Sequence, residues 1–233
     1  ASALRERSPL GSLALRLYPQ AKPATRNRQV LTPARSVINH AADLGLGPPI
    51  RLKPFKEAAV TRYAVDRAWL DAFCANASHR LGTLALLMFT TGARLGEALD
   101  LLWSNIDLDA KIGMIPVQKN GDPRTLYLTD EVVAALRLIP RTQERVFGWA
   151  PETRKWVGQL WKAACERAGI AYRTRHEAGR HSFATEMIVR QRRDVATTAK
   201  LGGWRSPRVL LDRYAHAEAL GTVADEVFGT LLA

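Results

Sequence analysis

Residues 81–97 read Leu81-Gly82-Thr83-Leu84-Ala85-Leu86-Leu87-Met88-Phe89-Thr90-Thr91-Gly92-Ala93-Arg94-Leu95-Gly96-Glu97. Apolar side chains fall on nearly every side of Leu81–Thr90 at helical spacing, which predicts a helix enclosed by other elements. Thr91-Gly92-Ala93 interrupts it, and helical spacing resumes from Arg94 to Leu102 through Leu95, Ala98, Leu99 and Leu102. Arg94 therefore opens a helix just behind a glycine break, with Glu97 one turn on to hold it. Taken alone, a surface i,i+3 ion pair is the simpler account of these two residues.

Further along the chain, Ile112–Val117 and Thr125–Leu128 read as strands. The residues between them, Gln118-Lys119-Asn120-Gly121-Asp122-Pro123, carry an Asn-Gly turn signal, so a β-hairpin is expected with Lys119 in its turn. Val65–Ala77 has helical spacing. Asp130 is expected to cap a short helix ending near Pro140. Pro151 opens an amphipathic helix with Val157, Leu160, Trp161, Ala164, Cys165 and Ala168 on one face and Gly169 as its stop. The last third reads as helices over Arg180–Gln191, Asp194–Leu201 and Pro207–Ala217, then a tail helix over Leu220–Leu231. Toward the N-terminus, Leu10, Leu13 and Leu17 suggest a short helix, and Thr25–Leu46 a longer one with Val30, Ala34, Val37, Ile38 and Ala41 on its apolar side. Gly47-Pro48-Pro49 and Pro54 mark a linker, dividing the chain into 1–53 and 54–233. The expected fold class is mainly α with one small antiparallel β-sheet (α+β).

The 233 residues carry 34 Lys+Arg against 22 Asp+Glu, a net charge of +12, with 47% hydrophobic residues. That apolar share fills a core and excludes a disordered polycation. Two cysteines, Cys74 and Cys165, make neither a disulfide framework nor a zinc pattern, which fits a reducing interior. The longest apolar run, near Leu84–Phe89, is far short of the roughly 20 residues of a membrane span. No charged-then-apolar leader opens the chain. A soluble, cytoplasmic, basic protein is expected, with no membrane partner and with nucleic acid as its polyanion. The charge is concentrated twice: residues 1–53 hold nine basic residues against two acidic, and Arg173–Arg213 hold ten against four.

The five histidines form no metal-ligand pattern, and no phosphate-binding glycine loop, Gly-x-Ser-x-Gly elbow or Cys/His protease signature is present. Two further segments stand out. One is His176-Glu177-Ala178-Gly179-Arg180-His181-Ser182-Phe183-Ala184-Thr185, an arginine among histidines ahead of an apolar helix. The other is Leu201-Gly202-Gly203-Trp204-Arg205-Ser206-Pro207, followed by Asp212-Arg213-Tyr214-Ala215-His216. A tryptophan after a Gly-Gly break is most often core filler.

In order and spacing, the Arg94, Lys119, Arg180 and Trp204–Tyr214 segments resemble the catalytic domain of the tyrosine recombinases, the phage-integrase family of site-specific DNA recombinases. The resemblance covers roughly residues 55–217, with weaker similarity of Thr25–Leu46 to the last helix of that family's core-binding domain. It implies that Arg94 and Arg180 are the two catalytic arginines, Lys119 the hairpin lysine, Trp204 the His-or-Trp position and Tyr214 the nucleophile. Glu97, His181 and His216 are implied as supporting residues. One position departs: the family carries His three residues before the second arginine, where this chain has Glu177 and holds His176 one residue further away. Either residue fills that role, with a slight preference for His176.

The implied reaction cuts and rejoins DNA through a 3′-phosphotyrosyl intermediate without metal or cofactor. Two arginines neutralise the non-bridging oxygens, Lys119 protonates the 5′-oxygen, and Trp204 donates its indole N–H to phosphate. Arg190, Arg192, Arg193, Lys200, Arg205 and Arg208 are candidates for DNA-backbone contacts. The implied partners are double-stranded DNA and further copies of the chain, a tetramer on DNA and a monomer free in solution. Residues 1–53 are short for a complete core-binding domain and read as truncated or divergent. Leu220–Leu231 either docks on a neighbouring protomer or completes its own domain. The competing readings are a non-catalytic DNA-binding protein, with Asp194–Ala215 as a helix-turn-helix or the chain as a decayed recombinase, and a type IB topoisomerase-like strand cutter.

Overall fold

Ser78 starts the helix around which the larger part of the chain is built. Its hydroxyl accepts the Leu81 N–H at 3.4 Å, and α5 (His79–Thr91) runs to Gly92, whose φ of +65° turns the chain and whose N–H donates to the Met88 carbonyl. Every residue from Leu81 to Phe89 is buried, as the all-round apolar pattern predicts. Each leucine enclosed this way stabilises by about 1.5–3 kcal/mol. The structure, a computed structural model, describes residues 9–58, 63–116, 123–149 and 153–214. The chain divides into two compact units, Ala1–Thr61 and Arg62–Ala233.

In the larger unit α5 packs against α4 (Arg67–Asn76), α6 (Leu95–Leu99), α7 (Asp130–Arg137) and the helical stretch 177–185. Asp66 caps α4 by accepting the Trp69 N–H at 2.8 Å. α4 meets α8 (Arg154–Arg167) through a stack of Trp69, Phe73 and Trp161, with ring centroids 5.3 Å apart for the first pair and 4.3 Å for the second. Trp161 is fully buried, and its indole N–H donates to the Arg173 carbonyl at 3.0 Å. This anchors the entry to the second candidate segment. α7 is capped by Thr129, whose hydroxyl accepts the Val132 N–H at 3.3 Å, and not by the expected Asp130, which is the first helical residue.

The sheet has three antiparallel strands in the order β1 (Ile106–Asp107), β2 (Ile112–Ile115), β3 (Arg124–Tyr127), with Ile112 opposite Tyr127 and Ile115 opposite Arg124. β1 goes beyond the expected hairpin. The Asp107 carboxylate accepts the N–H groups of Asp109 and Ala110, and Lys111 takes a φ of +56°, so the chain folds back on itself in a few residues. β2 stops at Ile115 rather than Val117 because Pro116 has no N–H to continue the ladder.

The smaller unit contains α1 (Pro9–Leu17), α2 (Pro23–Arg26), a π-turn (Asn27–Leu31) and α3 (Thr32–Asp43). The expected Thr25–Leu46 helix thus begins at Pro23 and is widened by one π-turn. Of its predicted apolar side Val30 is buried, Ala34, Ile38 and Ala41 are half-buried, and Val37 is 69% exposed. Buried Asn27 fixes the following segment: its amide donates to Phe55 O and accepts the Phe55 N–H at 2.9 and 2.8 Å. Among the described residues no helix is long and apolar enough to cross a membrane. The expected tail helix Leu220–Leu231 lies outside the described residues.

Candidate active site

Arg94 stands at the N-terminus of α6, where the backbone leaves the Gly92 turn. A Cβ on Gly92 would approach the Phe183 ring to 2.8 Å, so both the left-handed backbone and the close packing require glycine there. Glu97 grips Arg94 twice. Oε2 accepts the Arg94 backbone N–H at 2.9 Å, and Oε1 accepts Nη1 at 2.5 Å. The arginine side chain is half exposed, whereas Glu97 is buried. Oε2 also accepts Nη2 of buried Arg124 at 2.9 Å. Burial pushes the Glu97 carboxyl upward, yet the bonds from Arg94 and the charges of Arg124 and Arg94 outweigh it and hold Glu97 below the usual carboxylate range.

The second segment starts from a capping box. The Thr174 hydroxyl accepts the Glu177 N–H at 3.2 Å, while Glu177 Oε2 accepts the Thr174 N–H at 2.9 Å and its hydroxyl at 2.8 Å. Desolvation pushes the Glu177 carboxyl upward, but the Thr174 bonds, with help from the Tyr63 backbone and the Arg173 charge, together outweigh it and hold Glu177 below the ordinary range, so it is a weak base. Glu177–His181 then forms a π-turn, followed by α9 (Ser182–Thr185) and a second π-turn (Glu186–Arg190), where a plain helix over Arg180–Gln191 is expected. The π geometry absorbs one extra residue. It advances roughly 80° per residue against about 100° in an α-helix. Counted back from Arg180, three π steps place Glu177 near roughly 240°, and the α step before it carries His176 to roughly 340°, the nearer of the two to the roughly 300° of three α steps. His176 accordingly lines a cleft together with Arg94 and Arg180, and Glu177 does not.

Arg180 is 4% exposed and donates to backbone carbonyls: Nη1 to Gly92 at 2.9 Å and to Gly202, Nη2 to Gly203 at 3.1 Å. Its guanidinium lies over the Trp204 ring, 3.6 Å from the centroid, a cation–π contact. Trp204 follows α10 (Val195–Gly202), which Asp194 caps through the Thr197 N–H at 2.7 Å. The indole is also stacked on Phe183 at 6.3 Å. A Cβ on Gly202 would overlap the Trp204 ring, which explains the glycine before the turn. α11 (Arg208–Tyr214) packs buried Leu210 against Ala184 and Ala199, so its backbone is tied to α9 and α10.

The cleft has a volume of about 270 Å³ and is lined by Arg94, Leu95, Met88, Ala93, Thr174, Arg175, His176 and Arg180. Three candidates from two separate segments therefore converge, and Trp204 joins them through Arg180. Tyr214 closes α11; its side chain, with Lys119 and His216, lies outside the described residues. His181 is half-buried one residue beyond Arg180. Arg192, Arg193, Lys200, Arg205 and Arg208 are exposed, with Arg208 3.9 Å from Asp212. Arg190 is engaged within the fold, donating to Val65 O at 3.0 Å and to Glu186 at 2.8 Å. Sequence reasoning missed Arg175, which lines the cleft and lies against Gly158, and Arg124.

Residues 66–220 match the sequence model of the phage integrase family. The chain belongs to the phage integrase family. Its relatives include the shufflon-specific DNA recombinase of Escherichia coli, 30% identical over 138 residues, which are 57% of this chain and 34% of that protein. The chain spans about a third of the length of the curated relatives it matches. Among solved structures, the Tn1549 transposon integrase in complex with transposon right end DNA is 15% identical with a TM-score of 0.71, covering 95% of this chain and 84% of that one. XerH site-specific recombinase bound to difH substrate is 19% identical with a TM-score of 0.62, covering 93% and 68%. The small sheet beside a helical body is thus this family's fold.

Proposed function

We propose that this phage-integrase-family chain is a site-specific recombinase that cuts and rejoins double-stranded DNA through a phosphotyrosyl link on Tyr214. The convergence of Arg94, His176 and Arg180 on one cleft carries the reading. Two guanidinium groups beside one phosphate neutralise its non-bridging oxygens and the charge that develops on them. The Tyr214 oxygen attacks phosphorus, the P–O5′ bond breaks, and the tyrosine stays joined to the 3′-phosphate. The phenol proton passes to His176, and the 5′-oxygen takes a proton from Lys119. Rejoining runs the same steps backward. Because the charge is met by fixed arginines, no metal enters the scheme.

His176 rather than Glu177 takes the proton in this scheme. Its position in the cleft and the low basicity of Glu177, held by Thr174, support that assignment. The exposed cations Arg192, Arg193, Lys200, Arg205 and Arg208 track the DNA backbone. Residues 1–53, basic and with helices between Pro9 and Asp43, close on DNA as a core-binding segment, and residues 54–233 carry the chemistry. Recombination joins four strands, so the active assembly is a tetramer on DNA. The test uses nicked duplexes with randomised 30-base-pair cores, from which the wild-type chain selects its own substrate as an SDS-resistant adduct. Tyr214→Phe gives no adduct on the selected duplex. Wild-type protein that forms none, while binding the duplexes, is a DNA-binding protein without this activity.

A further inference from the structure

Arg124 lies in none of the motifs that the sequence singles out, yet it touches three parts of the site. It opens β3, its side chain is 10% exposed, and burial pulls its guanidinium below the usual arginine value against the opposing pull of Glu97. Nη2 donates to Glu97 Oε2 at 2.9 Å. Nη1 donates to the Leu201 carbonyl at 2.8 Å and the Thr91 carbonyl at 3.1 Å. Gly203 packs so closely on the Arg124 stem that a Cβ there would overlap it.

Arg180 runs beside it with the same pattern displaced by one residue, donating to Gly92, Gly202 and Gly203. Carbonyls 91 and 92 end α5, and carbonyls 201 to 203 end α10. The last carbonyls of a helix lack intrahelical partners and carry the negative end of its dipole, so each arginine neutralises two helix ends at once. Arg124 thereby joins the segment that carries Arg94 to the corner that carries Trp204. Since Glu97 Oε2 accepts both Arg124 and the Arg94 backbone N–H, the position of Arg94 depends on Arg124 through one shared oxygen.

We propose that Arg124 is a positioning residue for strand cleavage: it fixes Arg94 through Glu97 without touching DNA, and its bonds to Thr91 and Leu201 hold its own guanidinium in place for that task. The inference rests on the recombinase reading above. A residue of purely structural importance would lower cleavage only as far as it unfolds the protein. A positioning residue lowers the rate of the folded protein and does so through Arg94.

Arg124→Lys is the informative variant. It keeps a positive charge beside Glu97, but a single ammonium lacks the planar fork that reaches Glu97, Thr91 and Leu201 together. The full-length chain is assayed in single turnover on the nicked duplex selected by wild-type protein, alongside thermal melting and duplex binding. The expected result is a melting temperature within about 5 °C of wild type, duplex affinity within about 3-fold, and adduct formation slower by about 30-fold or more, since displacement of a catalytic group by about 1 Å costs on the order of 100-fold. Arg94→Lys combined with Arg124→Lys should be no more than about 3-fold slower than Arg94→Lys alone, because both act on one interaction. Wild-type cleavage by Arg124→Lys, or losses that multiply in the double variant, overturns the proposal. If Arg124→Lys is unstable, Arg124→Gln with Glu97→Gln removes both charges together, and a wild-type rate in that folded pair equally overturns it. Wild-type protein that forms no Tyr214-dependent adduct instead defeats the recombinase reading, which separates the two failures.

Discussion

Replacing His176 by alanine removes one wall of the cleft and keeps the Thr174–Glu177 capping box, whereas replacing Glu177 opens that box and keeps the wall. A positioned proton acceptor contributes about 100- to 10,000-fold to a rate, so His176→Ala should slow adduct formation by that amount and leave melting almost unchanged. Glu177 accepts two bonds from Thr174, at 2.9 and 2.8 Å, and its loss opens the capping box. Removing such a cap costs about 1 kcal/mol, equivalent to about 2–4 °C for a chain of this size. Glu177→Ala should therefore melt a few degrees lower and cleave within about 3-fold of wild type, with Glu177→Gln between them in stability. Single-turnover adduct formation on the selected nicked duplex measures the rate, and strand rejoining from the isolated adduct should slow in parallel for His176→Ala. A larger loss of cleavage in Glu177→Ala than in His176→Ala, at equal folded fraction, refutes the π-turn placement of His176.

Glu97→Gln offers an amide nitrogen where one carboxylate oxygen now accepts an arginine, and breaking this buried pair should cost about 3 kcal/mol, or about 6–12 °C in melting temperature. Because the folded Glu97 pKa lies below its unfolded value, its stabilisation is full above about pH 4.3 and fades as pH falls further, so wild type and Glu97→Gln should converge in stability in acid. Gly202→Ala drives a methyl into the Trp204 ring and should destabilise by about 1–3 kcal/mol. Thermal melts should recover that loss in a Trp204→Ala background, where the ring is gone. Removing Arg193, Lys200 and Arg205 together should leave melting unchanged and reduce the slope of log affinity against log salt by about 0.9 for each phosphate no longer neutralised, as read in duplex titrations.

Local spacing carries the parts of the fold that the sequence makes legible. The all-round apolar run Leu81–Phe89 reads as an enclosed helix, and Arg94 with Glu97 one turn apart reads as a held arginine. The choice between His176 and Glu177 stays open in the sequence, and the Thr174–Glu177 capping box that occupies Glu177 emerges only from the structure. The two-residue strand β1 leaves no periodicity to detect and depends on the Asp107 turn instead. Arg124 and Arg180 bind main-chain carbonyls, which every residue possesses, so no side-chain pattern announces their partners. The π-turn is visible only as one surplus residue before Arg180, and an α-helical wheel assigns that residue to the wrong direction. α3 looks amphipathic in sequence, yet amphipathicity alone does not determine how much of its face is covered.

Trp204 also gives the site an optical consequence. An indole lying against a guanidinium 3.6 Å from its ring centroid shares that cation's surroundings, so on the proposed mechanism a phosphate drawing on Arg180 should change the Trp204 contribution to the fluorescence of an unlabelled chain. Other aromatic signals come from elsewhere in the fold, where Trp69 and Trp161 sit 6.4 Å apart and Trp149 and Trp156 6.2 Å apart, pairs whose near-ultraviolet circular dichroism follows tertiary packing. Occupancy of the cleft and integrity of the fold are thereby recorded in two spectroscopic channels, both supplied by native side chains.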